Sequence, residues 1–250
     1  MVTVKPLEID PDHPIDQYEQ SMRKVLSVYQ PAVVRLYCKI RFRIIYMDIL
    51  QRLAAYLHEW KYILDIGCGF GVLGCLISSL QPQIKYLGCD INPAHIKTAW
   101  QAARRLGLMN MEFICLDARH MQFDRELDAI LMIDLLHHID DNSKIRLIAS
   151  CSHHLSTSGK LIIKDIGTIP LYKFFVNLMV DLFMTGDIDL QYWNQPRFQS
   201  ELGSYFDHTE TVSIKNKFPF PHILFISENS GTNASSPHLQ SGYIIGPKLG

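Results

Sequence analysis

Between residues 61 and 165, short apolar runs alternate with longer stretches in which apolar residues recur every three or four positions. The short runs are rich in β-branched residues, which favour strands, and the longer stretches have the spacing of helices. Strand–helix alternation builds a parallel sheet with right-handed crossovers, so the pattern predicts an α/β fold. The predicted strands are residues 62–66, 84–89, 111–115, 127–133 and 160–164, and the predicted helices are residues 71–81, 93–107, 142–155 and 170–184.

The two ends of the chain have different patterns. Residues 15–60 carry helical periodicity, and Pro31 suits the first turn of one of these helices. Residues 209–216 and 222–227 are two strand-like runs joined by only five residues, which is too few for a crossover helix. We therefore predict that these two strands pair antiparallel.

Composition narrows the class of protein and its partners. The 250-residue chain contains 24 Lys+Arg against 25 Asp+Glu and is 48% hydrophobic, which is enough for a real core. Its formal net charge of -1 argues against a dedicated duplex DNA binder, which normally carries a basic excess. The six cysteines include no C-x-x-C pair, so we predict no metal site and favour a reducing compartment. The first residues lack the pattern of a signal peptide, which predicts a cytoplasmic protein.

The main candidate motif is Asp65-Ile-Gly-Cys-Gly-Phe-Gly71, which closes the first predicted strand and opens the first predicted helix. Glycines allow positive φ and leave no Cβ between the main chain and a ligand. The helix that follows presents unpaired N–H groups and a partial positive charge at its N-terminus. The loop therefore predicts a site for a nucleoside lying against the main chain at the carboxyl end of the sheet.

Two other interpretations fit the same loop. Gly69-Phe-Gly-Val-Leu-Gly74 is a G-x-G-x-x-G motif with Asp90 about 20 residues further on, which is typical of NAD(P)-dependent oxidoreductases. Against this interpretation, Gly67 would lie at the end of a strand, where glycine reduces stability, and Asp65 would repel a pyrophosphate. The remaining interpretation is a nucleoside-binding module that keeps the fold and has no catalytic activity.

The spacing Asp65-x-Gly67-x-Gly69-x-Gly71 resembles the first motif of class I S-adenosylmethionine-dependent methyltransferases, and the resemblance extends to about Ser227. That cofactor carries an ammonium and a sulfonium cation, for which a nearby carboxylate is favourable. The resemblance implies a Rossmann-like, seven-stranded, mostly parallel sheet with an antiparallel C-terminal strand, helices on both faces and an N-terminal helical extension. The implied divisions are an N-terminal arm and helical cap at 1–60, a methyltransferase domain at 61–228 with a helical insertion at about 170–205, and a disordered tail at 229–250.

The resemblance also implies which residues hold S-adenosylmethionine. Asp90, at the end of the second strand, would accept both ribose hydroxyls, and Asp117, after the third, would receive the adenine amino group. Asp134, after the fourth, would lie beside the methionyl half and the methyl group. Taken singly, each of these acids is also typical of a helix cap or a turn. The implied cofactor-binding residues are Asp65, Gly67, Cys68, Gly69, Gly71, Asp90, Ile91, Asp117, Ala118 and Asp134.

Methyl transfer is an in-line displacement that depends mainly on positioning in a dry cavity. A base is needed only when the acceptor carries a proton that must leave. His137 and His138 follow the fourth strand and are the candidate catalytic bases, although such a pair is also typical of a cap or of stacking on a cofactor. Asp134-Leu-Leu-His137 resembles the corresponding segment of small-molecule and quinone methyltransferases, which implies a small, apolar or lipid-like acceptor and no nucleic acid partner.

The N-terminal helical region suggests a further contact. Residues 35–57 contain five basic residues and one acid, and Arg35, Lys39 and Arg43 are spaced four apart on one face of a helix. Beside an apolar face, this pattern fits contact with an anionic membrane surface or attraction of an anionic substrate, although most such patterns are ordinary solvated faces. Together with the insertion at about 170–205, this region is expected to build the acceptor pocket.

Overall fold

The computed structural model describes residues 15–42, 47–120, 126–166, 191–214 and 222–229. Seven strands among them form one mixed sheet, with helices in the connections between strands. The chain divides into two compact units, residues 1–115 and 116–250. The predictions for the arm at 1–14, for the helix at 170–184 and for the tail beyond residue 229 lie outside the described residues.

The first unit begins with helices, as the periodicity of residues 15–60 predicted. Pro31 stands at the N-terminal cap of the second helix, where its fixed φ and missing N–H are tolerated. Buried apolar side chains such as Leu26, Cys38 and Leu53 anchor these helices in the core. The helices are α1 (Ile15–Ser27), α2 (Ala32–Arg41) and α3 (Met47–Leu57).

The remainder of the first unit is a parallel β-α-β-α-β arrangement, as predicted. Its elements are β1 (Tyr62–Ile66), α4 (Val72–Leu80), β2 (Lys85–Asp90), α5 (Pro93–Leu106) and β3 (Met111–Cys115). The strand order is β3-β2-β1, with both pairings parallel. β1 is buried from Ile63 to Ile66 because a strand in a parallel sheet is covered on both faces. Asn92 caps the start of α5, and Gly107 ends this helix with a left-handed φ of 71°.

The second unit holds the rest of the sheet. Its elements are β4 (Leu127–Ile133), α6 (Asp141–His154), β5 (Leu155–Ile166), α7 (Gln195–Gly203), β6 (His208–Ile214) and β7 (His222–Glu228). The strand order is β4-β5-β7-β6; β4 and β5 are parallel, and β7 is antiparallel to both of its neighbours. The predicted antiparallel pairing of the last two strands is confirmed.

One strand differs from its prediction. β5 begins at Leu155, five residues before the predicted start at Lys160. Its register against β4 shifts between Leu127, which pairs with Leu155, and Ala129, which pairs with Lys160. The extra residues form an irregularity at which a Cβ on Gly159 would lie 2.8 Å from the carbonyl oxygen of Leu127. Residues 156–159 are Ser-Thr-Ser-Gly and not an apolar run, which is why the sequence pattern recognised only the regular part of the strand.

The candidate residues lie at the carboxyl ends of the strands. In the first unit, the glycine-rich segment follows β1 and Asp90 ends β2; in the second unit, Asp134 follows β4 and Asp165 lies near the end of β5. Strand ends of this kind are where α/β proteins bind ligands. Among the described helices, none combines the length and the apolar character that crossing a bilayer requires.

Candidate functional site

The glycine loop is held open by its backbone conformation. Gly67, Gly69 and Gly71 have φ values of 77°, 55° and 70°, a region that strains residues with a Cβ. The N–H groups of Gly67 and Cys68 both donate to the carbonyl oxygen of Cys89, at 2.8 and 2.9 Å. These two hydrogen bonds fasten the loop after β1 to the end of β2.

Two of these glycines serve different purposes. A Cβ on Gly71 would lie 2.9 Å from the Ala99 Cβ and from the Phe113 ring, so this position needs glycine for packing. A Cβ on Gly69 would meet no atom within 4 Å. The space beside Gly69 is therefore open, as a site for a ligand lying against the main chain requires.

Asp90 is the charged acceptor beside this open space. Its Oδ2 accepts a hydrogen bond from the Gly69 N–H at 2.9 Å, and its Oδ1 accepts one from the Asn92 N–H at 2.8 Å. His95 Nδ1 lies 3.3 Å from the same Oδ1. Burial alone would raise the pKa of Asp90, but the hydrogen bonds from His95, Asn92 and Gly69 outweigh it and lower the pKa below its ordinary value. The structure thus places an ionised carboxylate directly on the glycine loop.

Asp65 lies inside the core, whereas a carboxylate that balances the charge of a cofactor has to be accessible to it. It is buried, and its Oδ2 accepts a hydrogen bond from the Tyr86 hydroxyl. Burial raises the pKa of Asp65 to about 7, against the lowering effect of Tyr86 and with a further increase from the nearby charge of Asp90. A Cβ on Gly74 would overlap the Tyr86 ring, so the last glycine of the G-x-G-x-x-G motif makes room for this ring.

Cys68 and Ile91 are the neighbours of these residues in the loop and after β2. Cys68 is buried, and burial raises the pKa of its thiol well above the ordinary value, which makes it an unreactive packing residue. Ile91 exposes 65% of its surface next to Asp90, so its side chain is accessible to a ligand.

In the second unit, Asp117 makes contacts within its own turn. The Arg119 main-chain N–H donates to Asp117 Oδ1 at 2.9 Å, and Arg119 Nε lies 3.0 Å from both carboxylate oxygens. Ala118 begins the short 3-10 helix that follows, Ala118–His120. The turn interpretation of this acid therefore describes its contacts in the structure, and its role toward adenine stays a prediction.

Asp134 forms a buried ion pair that the sequence analysis missed. Its carboxylate pairs with Lys164 Nζ; the two side chains are 8% and 1% exposed. Asp134 has a φ of 54°, and its N–H donates to the carbonyl oxygen of Lys164 at 2.9 Å. A lysine within the apolar run of β5 was the available signal, because buried lysines are almost always paired with an acid.

His137 forms a second buried pair with Asp165, another residue that the sequence analysis did not single out. His137 Nδ1 lies 2.6 Å from Asp165 Oδ1, and the side chains are 1% and 4% exposed. A carboxylate partner requires a hydrogen on Nδ1, which leaves Nε2 as the basic nitrogen of the neutral ring. The Tyr192 ring stacks on His137 at 5.2 Å and 13°, and the His138 ring lies 4.2 Å away.

The segment that carries Tyr192 is fastened to α6 through Trp193. Trp193 Nε1 donates to Asp141 Oδ1 at 2.7 Å, while Lys144 Nζ and the Arg197 guanidinium lie 5.0 and 4.6 Å from the centre of the indole ring. Burial lowers the pKa of Lys144, and Asp141 opposes this effect. These contacts hold the segment that carries Tyr192 beside α6. Within the described ranges, no group of three or more His, Cys, Asp or Glu side chains is arranged to hold a metal.

Comparison with known proteins agrees with this geometry. A family profile described as a methyltransferase domain matches residues 63–159. The tRNA N(3)-methylcytidine methyltransferase Mettl2 of Drosophila melanogaster is 30% identical over 118 residues, covering 44% of this chain and 36% of the relative. Cephaeline 6'-O-methyltransferase IpeOMT1 of Carapichea ipecacuanha is 31% identical over 118 residues, covering 45% and 30%. This chain thus spans about a third of the length of these curated relatives.

The fold is also shared with solved structures. Magnesium protoporphyrin IX methyltransferase from Synechocystis PCC 6803, solved with bound S-adenosylhomocysteine, superposes with a TM-score of 0.61 at 17% identity, covering 84% of this chain and 94% of that chain. Residues 63–159 therefore match a methyltransferase domain, and the fold is the one that the resemblance to class I S-adenosylmethionine-dependent methyltransferases implied; the oxidoreductase alternative is not favoured. The roles of individual residues stay predictions.

Proposed function

We propose that this protein transfers the methyl group of S-adenosylmethionine to a small, apolar or lipid-like acceptor. The observation that carries the cofactor half of the proposal is the hydrogen bond from the Gly69 N–H to Asp90, because it joins the open glycine loop to an ionised carboxylate. In this proposal Asp90 accepts hydrogen bonds from the ribose hydroxyls, Ile91 contacts the adenine face and Asp117 receives the adenine amino group. Asp65 acts from inside the core by supporting the loop through Tyr86, and Asp134 lies near the methionyl half.

The acceptor half of the proposal rests on His137 and Asp165. Bound S-adenosylmethionine would supply the methyl group to the acceptor oxygen or nitrogen, with the electron pair of the C–S bond staying on sulfur, and would leave as S-adenosylhomocysteine. The acceptor's proton passes to His137 Nε2, while Asp165 orients the ring and stabilises the imidazolium. His137 is 1% exposed, so an acceptor reaches it only after a covering side chain such as Tyr192 moves. The less buried His138 is the alternative base.

The class of acceptor is inferred from the Asp134–His137 segment and from the charge of the chain. The proteins similar to this chain include a tRNA methyltransferase, a cephaeline O-methyltransferase and a magnesium protoporphyrin methyltransferase, so domains of this kind serve very different acceptors. The segment from Asp134 to His137 favours a small molecule, and the balanced charge of the chain favours it over a polyanion.

Calorimetry tests the cofactor first. S-adenosylhomocysteine is expected to bind in the micromolar range and NADH is not; the opposite result would reverse the choice between the two interpretations of the loop. The acceptor is then sought with cofactor carrying a labelled methyl group. A lipid and metabolite extract and total tRNA are offered in parallel, and mass spectrometry locates the added methyl. Label in the extract supports the proposal, label in tRNA corrects the acceptor class, and cofactor binding without transfer to either supports the non-catalytic module.

The exposed face of α2 supports a peripheral membrane contact for this domain. Val33, Leu36 and Ile40 lie on one face of the helix and are 70%, 56% and 50% exposed, and Lys39 beside them is also exposed. Arg35 is less available than the sequence suggested, because its Nε donates to the carbonyl oxygen of Tyr29 at 3.0 Å. The predicted third basic residue of this face, at position 43, lies outside the described residues.

Vesicle sedimentation tests this contact. The protein is expected to sediment with vesicles containing phosphatidylserine and to stay in solution with pure phosphatidylcholine. Leu36→Glu is expected to abolish sedimentation, whereas Met109→Glu, at a residue that is 92% exposed elsewhere in the same unit, should leave it unchanged. Equal behaviour of both variants would argue for an ordinary solvated face.

A further inference from the structure

His95 occupies an acceptor position on the carboxylate that is proposed to hold the cofactor ribose. It lies near the start of α5, with Nδ1 3.3 Å from Asp90 Oδ1. A nitrogen facing a carboxylate oxygen at this distance acts as a donor when it carries hydrogen. The ring also meets Phe70 of the glycine loop edge to face, with 4.5 Å between ring centroids. His95 therefore contacts both the loop and Asp90.

The hydrogen-bonding capacity of Asp90 is nearly filled in the described structure. A carboxylate offers about four lone-pair positions. Three of these are used by the Gly69 N–H, the Asn92 N–H and His95. A ribose brings two hydroxyl donors, so the ribose and the present partners together exceed what the carboxylate can accept.

Only one of the three present donors is free to leave. The Gly69 N–H belongs to a loop whose neighbouring N–H groups are fastened to Cys89, and Asn92 caps α5 through its side chain. His95 is a side chain with rotatable bonds, it is 34% exposed, and its 3.3 Å contact is the longest of the three. A nucleoside with two vicinal hydroxyls therefore displaces His95 and leaves the two main-chain donors in place.

We infer that His95 is a specificity-determining residue of the cofactor site, which competes with the ribose hydroxyls for Asp90 and is displaced by a nucleoside that carries both of them. The inference rests on the proposed role of Asp90. A ligand with a single ribose hydroxyl fits the one remaining acceptor position and has no need to displace the ring. His95 thus weakens the binding of ribonucleosides and leaves the binding of deoxynucleosides almost unchanged.

Two substitutions separate competition from packing. His95→Phe keeps an aromatic ring against Phe70 and removes the donor, while His95→Ala removes both. Each variant is expected to bind S-adenosylhomocysteine about threefold to tenfold more tightly than the wild type, which is the size of a typical net hydrogen bond, as expected for a long contact at a partly exposed site. Binding of the 2′-deoxy analogue of S-adenosylhomocysteine should change by less than about twofold.

Calorimetry with both ligands decides the matter, with His58→Phe as the control. His58 lies in the same unit, and its side chain is 66% exposed. The control should bind both ligands as the wild type does, and circular dichroism should show all variants folded. Unchanged or weaker binding of S-adenosylhomocysteine by His95→Phe would overturn the inference, as would an equal gain for the deoxy analogue. A wild-type protein that binds neither ligand would overturn the proposed function as well, so the two failures are distinguishable.

Discussion

The acid that ends β2 and the acid that follows β4 hold similar places in their units, but their carboxylates have different partners. Asp90 accepts hydrogen bonds from main-chain N–H groups, and its side chain is 12% exposed beside an open space. Asp134 is paired with the ammonium group of a lysine that is almost completely buried. Main-chain donors leave a net negative charge that can accept further hydrogen bonds, whereas a buried ammonium neutralises it. The partner of an acid at a strand end therefore decides whether the acid is available to a ligand.

The largest expected effect on stability comes from breaking the buried ion pair between Asp134 and Lys164. Lys164→Met leaves Asp134 buried without its ammonium partner, so the free energy of unfolding should fall by about 3–5 kcal/mol. Urea denaturation at neutral pH measures the loss. Lys160→Met in the same strand is the matched control, because its partner Glu228 is 37% exposed, and it should lose less than about 1 kcal/mol. Equal losses would show that burial of the pair is not what matters.

Asp65 offers a second contrast with Asp90, because it is a buried acid close enough to feel the charge of Asp90. The folded pKa of Asp65, about 7, lies above its ordinary value of 3.8, so the folded state binds the proton more tightly. The wild type should therefore lose stability as pH rises from about 4 to about 7, by up to about 4 kcal/mol relative to Asp65→Asn. Above pH 7 the difference should be constant. If the free energies of unfolding of the two proteins depend on pH in the same way across this range, Asp65 is ionised in the folded state and the prediction is wrong.

The proposed role of Asp165 in orienting His137 is tested by the reaction rate. Asp165→Asn should lower kcat about 100-fold with little change in the KM for the cofactor, because a correctly oriented base accelerates proton transfer by about that factor. Asp165→Glu should restore part of the rate, which a purely structural role does not predict. His138→Gln and His137→Gln are compared in the same assay. If kcat falls more in His138→Gln than in His137→Gln, His138 is the base.

Asp90 has the smallest minimum effect of the four. Asp90→Ala should weaken S-adenosylhomocysteine binding at least tenfold, since losing even one hydrogen bond to a charged acceptor costs about 1.5 kcal/mol at the low end. Its free energy of unfolding should change by less than about 1 kcal/mol, because the main-chain donors turn to water at a partly exposed site. Calorimetry measures the first quantity and urea denaturation the second. Glu112→Ala, at an exposed position of β3, is the control, and unchanged affinity in Asp90→Ala would reduce Asp90 to a turn residue.

The sequence was most informative where one local signal sufficed. Short β-branched runs and helical periodicity located β1 to β4 and the helices between them within a few residues, because strands covered on both faces are continuously apolar and a helix must bury one face. The glycine motif located the loop, because only glycine adopts three positive φ values so close together without strain. The early start of β5 was missed, since residues 156–159 are small and polar and their pairing with β4 is irregular.

The α/β order of elements, the glycine loop and the acids at the strand ends can be predicted from the sequence, since each depends on residues close together in the chain. The state of each acid depends on contacts made by folding: Asp65 with Tyr86, Asp134 with Lys164 and Asp165 with His137. These partners lie 21 to 30 residues apart in the chain. The charge of a carboxylate depends on its burial and on its nearest donors, and those are set by packing between strands that the sequence pattern does not bring together.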